Sequence, residues 1–343
     1  VDITIIEIAR RAGVSTATVS RALNNNGPVR EETRQKILQI ARELNYKPNP
    51  IARSLSRKQT DTIGVILPEL VDEFFMEIIR GIDETAYRAN RYVMLSSFHS
   101  QRNIVETLLE FMGSGRVDGV ILMAPQMQTD LASLLAKSKK PVVLLNVNHS
   151  IQNAVCFNID NYHGAYAITK HLIDHGYQRI GMILGPEGNC DAEERFRGFS
   201  DALSKHNLPV ENSLIVQGDF AARSGYYGFG RLMNQERKPQ AIFAANDMMA
   251  VGCYEAAKSS HIKIPDDVAI VGFDDIFLGR LLSPRLTTVH VPISELGSKA
   301  IHYLLRMIEG EVDADQSYRE EISTALIIGG SCGCKNYVVS SII

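Results

Sequence analysis

From Thr62 onward, short apolar runs alternate with helical segments, and this alternation narrows the possible folds more than any other feature of the chain. Ile63-Gly64-Val65-Ile66-Leu67 is the first run, followed by helical spacing over 75–90. Strands are expected at 92–96, 117–123 and 141–147, with helices at 104–112 and 131–137 between them. A second set starts near Tyr162, with a helix to 174 and strands at 179–184, 213–216, 241–245 and 268–271. Helices at 193–205, 224–233 and 248–259 separate those strands. Strands that are apolar on both faces belong to parallel sheets covered by helices on each side. Two consecutive sets predict two such lobes, with a cleft at the carboxyl ends of their strands.

The first sixty residues read differently. They carry 11 Lys/Arg against 5 Asp/Glu, a net charge of +6 in a chain whose total is −3. Charge segregated in this way suits a small module that meets a polyanion. Ile5, Ile8, Ala9 and Ala12 form one apolar stripe after Thr4-Ile5-Ile6-Glu7, which has the form of a capping box. Gly13 ends that helix, and Ser15 is placed to cap the next, whose inner side shows Val19, Ala22 and Leu23. Asn24 to Asn26 and Gly27 then act as a brake, and a third helix after Val29 carries Ile37, Ile40, Ala41 and Leu44. Two short helices across a tight turn, completed by a third, are the pattern of a helix-turn-helix. The outer face of its second helix shows Thr16, Ala17, Ser20 and Arg21. Small side chains let a helix sink into a major groove, methyls meet thymine, and an arginine can grip guanine with two hydrogen bonds.

These residues carry a resemblance to the lactose-repressor/galactose-repressor (LacI/GalR) family. The matching signatures are Ala12-Gly13-Val14-Ser15, Thr18-Val19-Ser20-Arg21, Leu23-Asn24, Thr33-Arg34, Tyr46-Lys47-Pro48-Asn49 and Ala52-Arg53-Ser54-Leu55, all in order. By position, the resemblance implies that Thr16, Ala17 and Arg21 read bases, and that Ser15, Thr18 and Ser20 contact phosphates or cap the helix. It also implies a hinge at 48–60, including Asn49, Ala52 and Arg53, that becomes helical on the operator. Leu55 would there wedge into a central minor-groove step. Such a wedge unstacks DNA at a cost of a few kcal/mol, offset by contacts on the bent duplex. Read without the resemblance, the same segment is a flexible basic linker.

The resemblance further implies a periplasmic-binding-protein-like regulatory domain. The expected organisation is a helix-turn-helix at 1–47, the hinge at 48–60, a first lobe at 61–159 plus 292–322, a second at 160–291 plus 323–330, and a tail at 331–343. The expected cleft residues lie at strand ends. They are Asn146, Asn189, Asp191, Arg195 (in Arg-x-x-Gly-Phe), Phe220 (in Gly-Asp-Phe), Asn246 (in Asn-Asp-x-Met-Ala) and Asp274 (in Gly-Phe-Asp-Asp). Asp72, Phe74 and Phe75 join them from the first lobe, where relatives often show Asn-Pro-Phe-Phe and Glu73 departs from that pattern. Phe74 and Phe75 are adjacent on a helix, so one is expected to face the ligand and the other the core. Carboxylates, amides, one arginine and an aromatic face suit a neutral polyol. The expected function is therefore a repressor that binds a palindromic operator as a homodimer, under allosteric control of a small molecule in the interlobe cleft, expected to be a sugar.

Other classes fit less well. No P-loop, nucleophile elbow or His-Glu-x-x-His motif is present, and Gly113-Ser114-Gly115 precedes a strand, the reverse of a dinucleotide fingerprint. Neither an enzyme nor a resident cofactor is expected. A transport-type sugar-binding protein would match the large domain but not the basic module. No apolar run reaches the ~18 residues of a membrane span, and Val1 to Arg11 lacks the form of a signal peptide. The five cysteines, 156, 190, 253, 332 and 334, read as reduced cytoplasmic thiols. Cys332-Gly333-Cys334 has no Cys or His beside it in sequence, so no metal site is expected there. The tail is too short for the leucine heptads that make tetramers in some relatives, so a dimer is expected.

Overall fold

The computed structural model describes residues 4–24, 27–46, 59–68, 72–97, 104–113, 115–125, 133, 135, 138, 140–147, 154–312 and 317–334. The chain divides into two compact units, residues 1–60 and 61–343.

In the first unit, α1 (Ile5–Ala12), α2 (Thr16–Asn24) and α3 (Glu31–Glu43) enclose Ile8, Ala9, Ala12, Val19, Ala22, Ile37 and Ala41. Gly13 takes the left-handed conformation at φ 71°, and its amide donates to the Ala9 carbonyl at 3.0 Å. Ser15 Oγ accepts the Thr18 amide at 3.2 Å, which caps the start of α2. The capping box expected at Thr4 does not form. Thr4 is the N-cap residue, but its side chain makes no capping bond. Glu7 turns instead to the two arginines one turn on, accepting from Arg10 Nη2 at 2.7 Å and Arg11 Nε at 2.9 Å. Hydrogen bonds from Arg10 and Arg11 pull its carboxyl down to about 2. Two charged donors outcompete one backbone amide for the same oxygens.

The second unit holds two parallel sheets. The first runs β11 (Tyr318–Ile322), β5 (Val155–Ile159), β4 (Val142–Leu145), β3 (Gly119–Met123), β1 (Thr62–Leu67), β2 (Tyr92–Ser97). The second runs β7 (Ile215–Val216), β6 (Ile180–Ile183), β8 (Ala241–Ala244), β9 (Ala269–Val271). An antiparallel pair, β10 (Thr288–His290) with β12 (Ala325–Ile327), joins neither sheet. The central strands β3, β6 and β8 and the edge strand β9 are buried along their whole length, which is why they read as unbroken apolar runs. β5 is buried as well, but Asn158 interrupts its apolar run and the sequence pattern did not reveal it.

Helices flank both sheets. α4 (Glu73–Arg88) and α5 (Ile104–Gly113) belong to the first, and α6 (Asn161–Asp174), α7 (Cys190–Lys205), α8 (Ala222–Met233) and α9 (Asp247–Ser259) to the second. A five-residue helix, α10 (Phe277–Leu281), follows β9. α11 (Ile293–Ile308) packs on α4 and against β3, β4 and β5, so the chain has returned to the first sheet. The expected helix at 131–137 lies almost wholly outside the described residues.

The periodicity located most of these elements but placed several helix starts late. α4 begins at Glu73 and α7 at Cys190, because Asp72 and Asn189 accept the Phe75 and Ala192 amides and start the helix before its apolar stripe does. β11 escaped notice because Tyr-Arg-Glu-Glu-Ile carries no apolar run. It is an edge strand, and its Glu320 accepts from Lys299 Nζ at 2.6 Å.

Candidate effector cleft and nucleic-acid interface

Just before α2 and along it, the structure exposes Ser15, Thr16, Ala17 and Arg21 and leaves Thr18 and Ser20 half-buried. The Ser15 and Thr18 hydroxyls lie 2.9 Å apart, so both serve the helix start. Val19 and Ala22 are buried behind them, which fixes the rotation of α2 and turns Thr16, Ala17 and Arg21 outward. Asn49, Ala52, Arg53 and Leu55 lie outside the described residues.

At the strand ends of the second unit, residues distant in sequence meet in one buried polar chain. Asn146, just after β4, takes φ 47° and donates from Nδ2 to Asp191 Oδ2 at 3.0 Å. Asn161, the first residue of α6, donates to the other Asp191 oxygen at 2.8 Å and accepts from Arg195 Nε at 2.8 Å. Arg195 Nη1 donates to the Ala245 carbonyl at 2.6 Å, and Nη2 stands 3.1 Å from Asp274 Oδ1. The guanidinium lies over the Phe273 ring at 3.9 Å and within 5.6 Å of Phe220. Asp191, Arg195 and Asp274 are 7, 3 and 4% exposed, so these charges interact with little solvent between them.

Three buried carboxylates share this region with Arg195, the one buried basic residue among the described residues. Burial raises Asp274 to about 7, Arg195 opposes the rise, and the Asp72 and Asp191 charges add to it. Burial also raises Asp191, against the pull of Arg195, Asn146 and Asn161. Asp247 is raised well above the ordinary range, first by burial and then by the Asp274 charge. Asp247 is structural: its oxygens accept from Thr288 Oγ1 at 2.6 Å and from the Ile276 amide at 3.0 Å.

Two acceptors in this chain remain unspent. Asn146 Oδ1 and Asp274 Oδ1 are buried, and no donor among the described residues meets either with hydrogen-bond geometry. The Arg195–Asp274 approach is an ion pair with poor alignment. An unmet buried acceptor is costly, and a ligand that brings donors relieves that cost.

The other expected cleft residues take more structural parts. Asp72, Asn189 and Asn246 are N-caps of α4, α7 and α9. The Asn246 amide also donates to the Phe220 carbonyl at 3.0 Å, so both its ends hold backbone and it positions Phe220. Phe220 takes φ 69°, and its ring sits against Gly185, where an added Cβ would stand 2.3 Å from Cζ. Phe74 and Phe75 meet edge to face at 5.5 Å, and both are half-buried and packed against the core. Glu73 reaches the second lobe, accepting the Phe277 amide at 2.5 Å. Asn161 and Phe273 were not singled out in the sequence. Their only signals were position, Asn161 opening a helix after a strand and Phe273 preceding Asp274.

A cavity of about 140 Å³ adjoins this chain, lined by Asn158, Asn161, Cys190, Asp191, Glu194 and Arg197 among others. A larger hollow, about 690 Å³, lies away from it beside α4, α11 and β11. Its Lys299 and Arg306 are ion-paired with Glu320 and Glu311. The smaller cavity shares Asn161 and Asp191 with the polar chain, while Asn146, Arg195 and Asp274 line neither hollow.

The match to known proteins follows the same division. Residues 4–49 match the model of bacterial regulatory proteins of the lacI family, and residues 169–332 match a periplasmic binding protein-like domain. The HTH-type transcriptional repressor PurR of Haemophilus influenzae (strain PittEE) is 34% identical over 327 residues, 95% of this chain and 97% of that protein. The chain belongs to the LacI family. Among solved structures, the Lac repressor dimer bound to operator and the anti-inducer ONPF superposes with a TM-score of 0.86 at 27% identity, over 97% of this chain and 99% of that one. The transcriptional regulator CelR in complex with cellobiose gives 0.73 at 27% identity, over 96% and 99%. As a member of this family the protein is a DNA-binding transcriptional regulator. No helix among the described residues is long and apolar enough to cross a membrane.

Proposed function

We propose that this regulator is a repressor that binds a palindromic operator as a homodimer and takes a neutral sugar in the cleft at Asn146, Asp191, Arg195 and Asp274. The observation that carries the ligand class is spare buried acceptor capacity: Asn146 Oδ1 from the first lobe has no donor among the described residues, and Asp274 Oδ1 from the second is met only by the ion pair to Arg195. Sugar hydroxyls donate to such acceptors, and the Phe220 ring offers an apolar face to a pyranose. A phosphorylated ligand is disfavoured because Arg195, the one buried basic residue among the described residues, is already ion-paired with Asp274. CelR, of the same fold, is solved with cellobiose.

The cleft residues come from both lobes, so a ligand bridging them favours one lobe arrangement. It shifts that equilibrium only by its difference in affinity for the two arrangements. Base reading falls to the exposed Thr16, Ala17 and Arg21 of α2, and minor-groove wedging to Leu55. The test is thermal melting of the full chain against monosaccharides, disaccharides, sugar phosphates and purines. A ligand at ~100 times its dissociation constant adds about 2.7 kcal/mol. A neutral-sugar response that disappears in Asp274→Ala supports the assignment. A response confined to phosphorylated sugars or purines refutes the polyol reading.

A further inference from the structure

Cys332 and Cys334 have no His or Cys near them in sequence, but the fold supplies two. The segment after β12 turns back onto α6, where His171 and His175 stand one helical turn apart and present their rings on one face. Cys332 Sγ is 3.3 Å from His171 Nε2, and Cys334 Sγ is 2.9 Å from His175 Nε2 and 3.8 Å from His171 Nε2. All four donor atoms lie within 4.8 Å of one another.

We propose that His171, His175, Cys332 and Cys334 bind one zinc ion, which fastens the C-terminal segment to the second lobe. A tetrahedral zinc with sulfur at ~2.3 Å and nitrogen at ~2.0–2.1 Å needs its ligand atoms about 3.3–3.8 Å apart. The observed separations run from 2.9 Å up to 4.8 Å and so span that range, and side-chain shifts of up to about 1 Å close the site.

The surroundings are those of a metal shell. His175 Nδ1 lies 2.8 Å from the His171 carbonyl oxygen, to which only a protonated nitrogen can donate. That bond places the proton on Nδ1 and frees Nε2, the atom that faces Cys334. The Thr287 hydroxyl is 3.1 Å from Cys332 Sγ, in position to donate to a thiolate. Tyr177 Oη donates to the Cys332 carbonyl at 3.1 Å and fixes the turn. Gly333 has φ 89°, the left-handed conformation that lets two cysteines one residue apart aim at one point. Two thiolates and two imidazoles form the soft, closed set that selects zinc and leaves no position for substrate, so the role is structural. The anchored segment also belongs to the lobe's core. Ser331 Oγ accepts the Thr287 amide at 2.8 Å, and the Ser331 carbonyl accepts the Ile270 amide at 3.1 Å. Ile270 is in β9, the strand that leads to Asp274.

The full chain, purified reduced with added zinc sulfate and dialysed against metal-free buffer, should retain about one zinc per chain by elemental analysis. Cobalt exchanged for zinc should give tetrahedral visible bands and near-ultraviolet thiolate-to-cobalt bands. Cys332 is fully buried, so its replacement risks unfolding; Cys334→Ser and His175→Gln alter the more accessible ligands. Each should weaken zinc retention more than ~100-fold, beyond the effect of losing an outer-shell partner, with far-ultraviolet circular dichroism unchanged. Chelation should lower the melting temperature of the wild type, zinc should restore it, and neither should move that of Cys334→Ser. Zinc lost on dialysis from folded, reduced protein would overturn the proposal. So would cobalt spectra without thiolate bands, zinc retained in both variants, or a Cys332–Cys334 disulfide by mass in zinc-containing buffer. The cobalt spectrum of the wild type decides the matter even if both variants misfold.

Discussion

Replacing Arg195 by Met removes the guanidinium but keeps an unbranched side chain over the Phe273 ring. Asn161 Oδ1, the Ala245 carbonyl and the Asp274 carboxylate each lose a donor or counter-charge. The neutral acceptors are worth about 1–3 kcal/mol when left unmet in a buried site. Asp274 adds a larger and pH-dependent part, since removing one partner of a buried ion pair costs about 3–5 kcal/mol while the other stays charged. Asp274 escapes that cost by taking up a proton. Its carboxyl, raised by burial from 3.8 to about 7 against the pull of Arg195, rises further once Arg195 is gone. A carboxyl whose folded value exceeds its unfolded value stabilises fully below the unfolded value and loses that contribution as pH climbs through the folded one. In the variant this loss extends above about 7. Urea unfolding should therefore show a deficit of about 1–3 kcal/mol near pH 5.5 and a clearly larger one, about 3–5 kcal/mol or more, near pH 8.5. Equal deficits at the two pH values would refute the argument that Asp274 depends on Arg195 for its charge.

Arg21→Ala should reduce discrimination between operator and unrelated DNA by about 1–3 kcal/mol in fluorescence anisotropy titrations. An equal loss on both sequences would make Arg21 a phosphate contact. Gly185→Ala puts a methyl 2.3 Å from the Phe220 ring and 2.8 Å from Ala192 Cβ, so Phe220 must leave its seat. The expected result is a destabilisation of about 1–3 kcal/mol by urea titration together with weaker sugar binding. Unchanged affinity would remove Phe220 from the ligand face.

The fold class was legible in the sequence because its signals are local. Ile5, Ile8, Ala9 and Ala12 mark α1 through a period every helix shares, and Gly13 ends it through a backbone preference of its own. Most buried strands announce themselves as apolar runs because both their faces are covered, although β5, with Asn158 in its middle, does not. Where a strand sits at an edge, as β11 does, its charged residues hide it. The capping box failed for a local reason too, since Arg10 and Arg11 compete for Glu7 and a motif does not show which partner wins.

Asp191, Arg195 and Asp274 were legible as candidates at strand ends, but the buried network that joins them was not. Periodicity says that a strand ends, not which other strand end it meets. Asn161, 34 residues from Arg195, enters the site because α6 starts where the chain leaves β5, beside the start of α7. The distance is longer still for Cys332, which meets a histidine 161 residues earlier in the chain. Local physics thus determined which elements form and where many of them stop. Only the stacking of parallel strands and the return of the C-terminal segment across α6 decided which side chains share a point in space. That choice depends on burial summed over the whole unit, to which no single stretch of sequence has access.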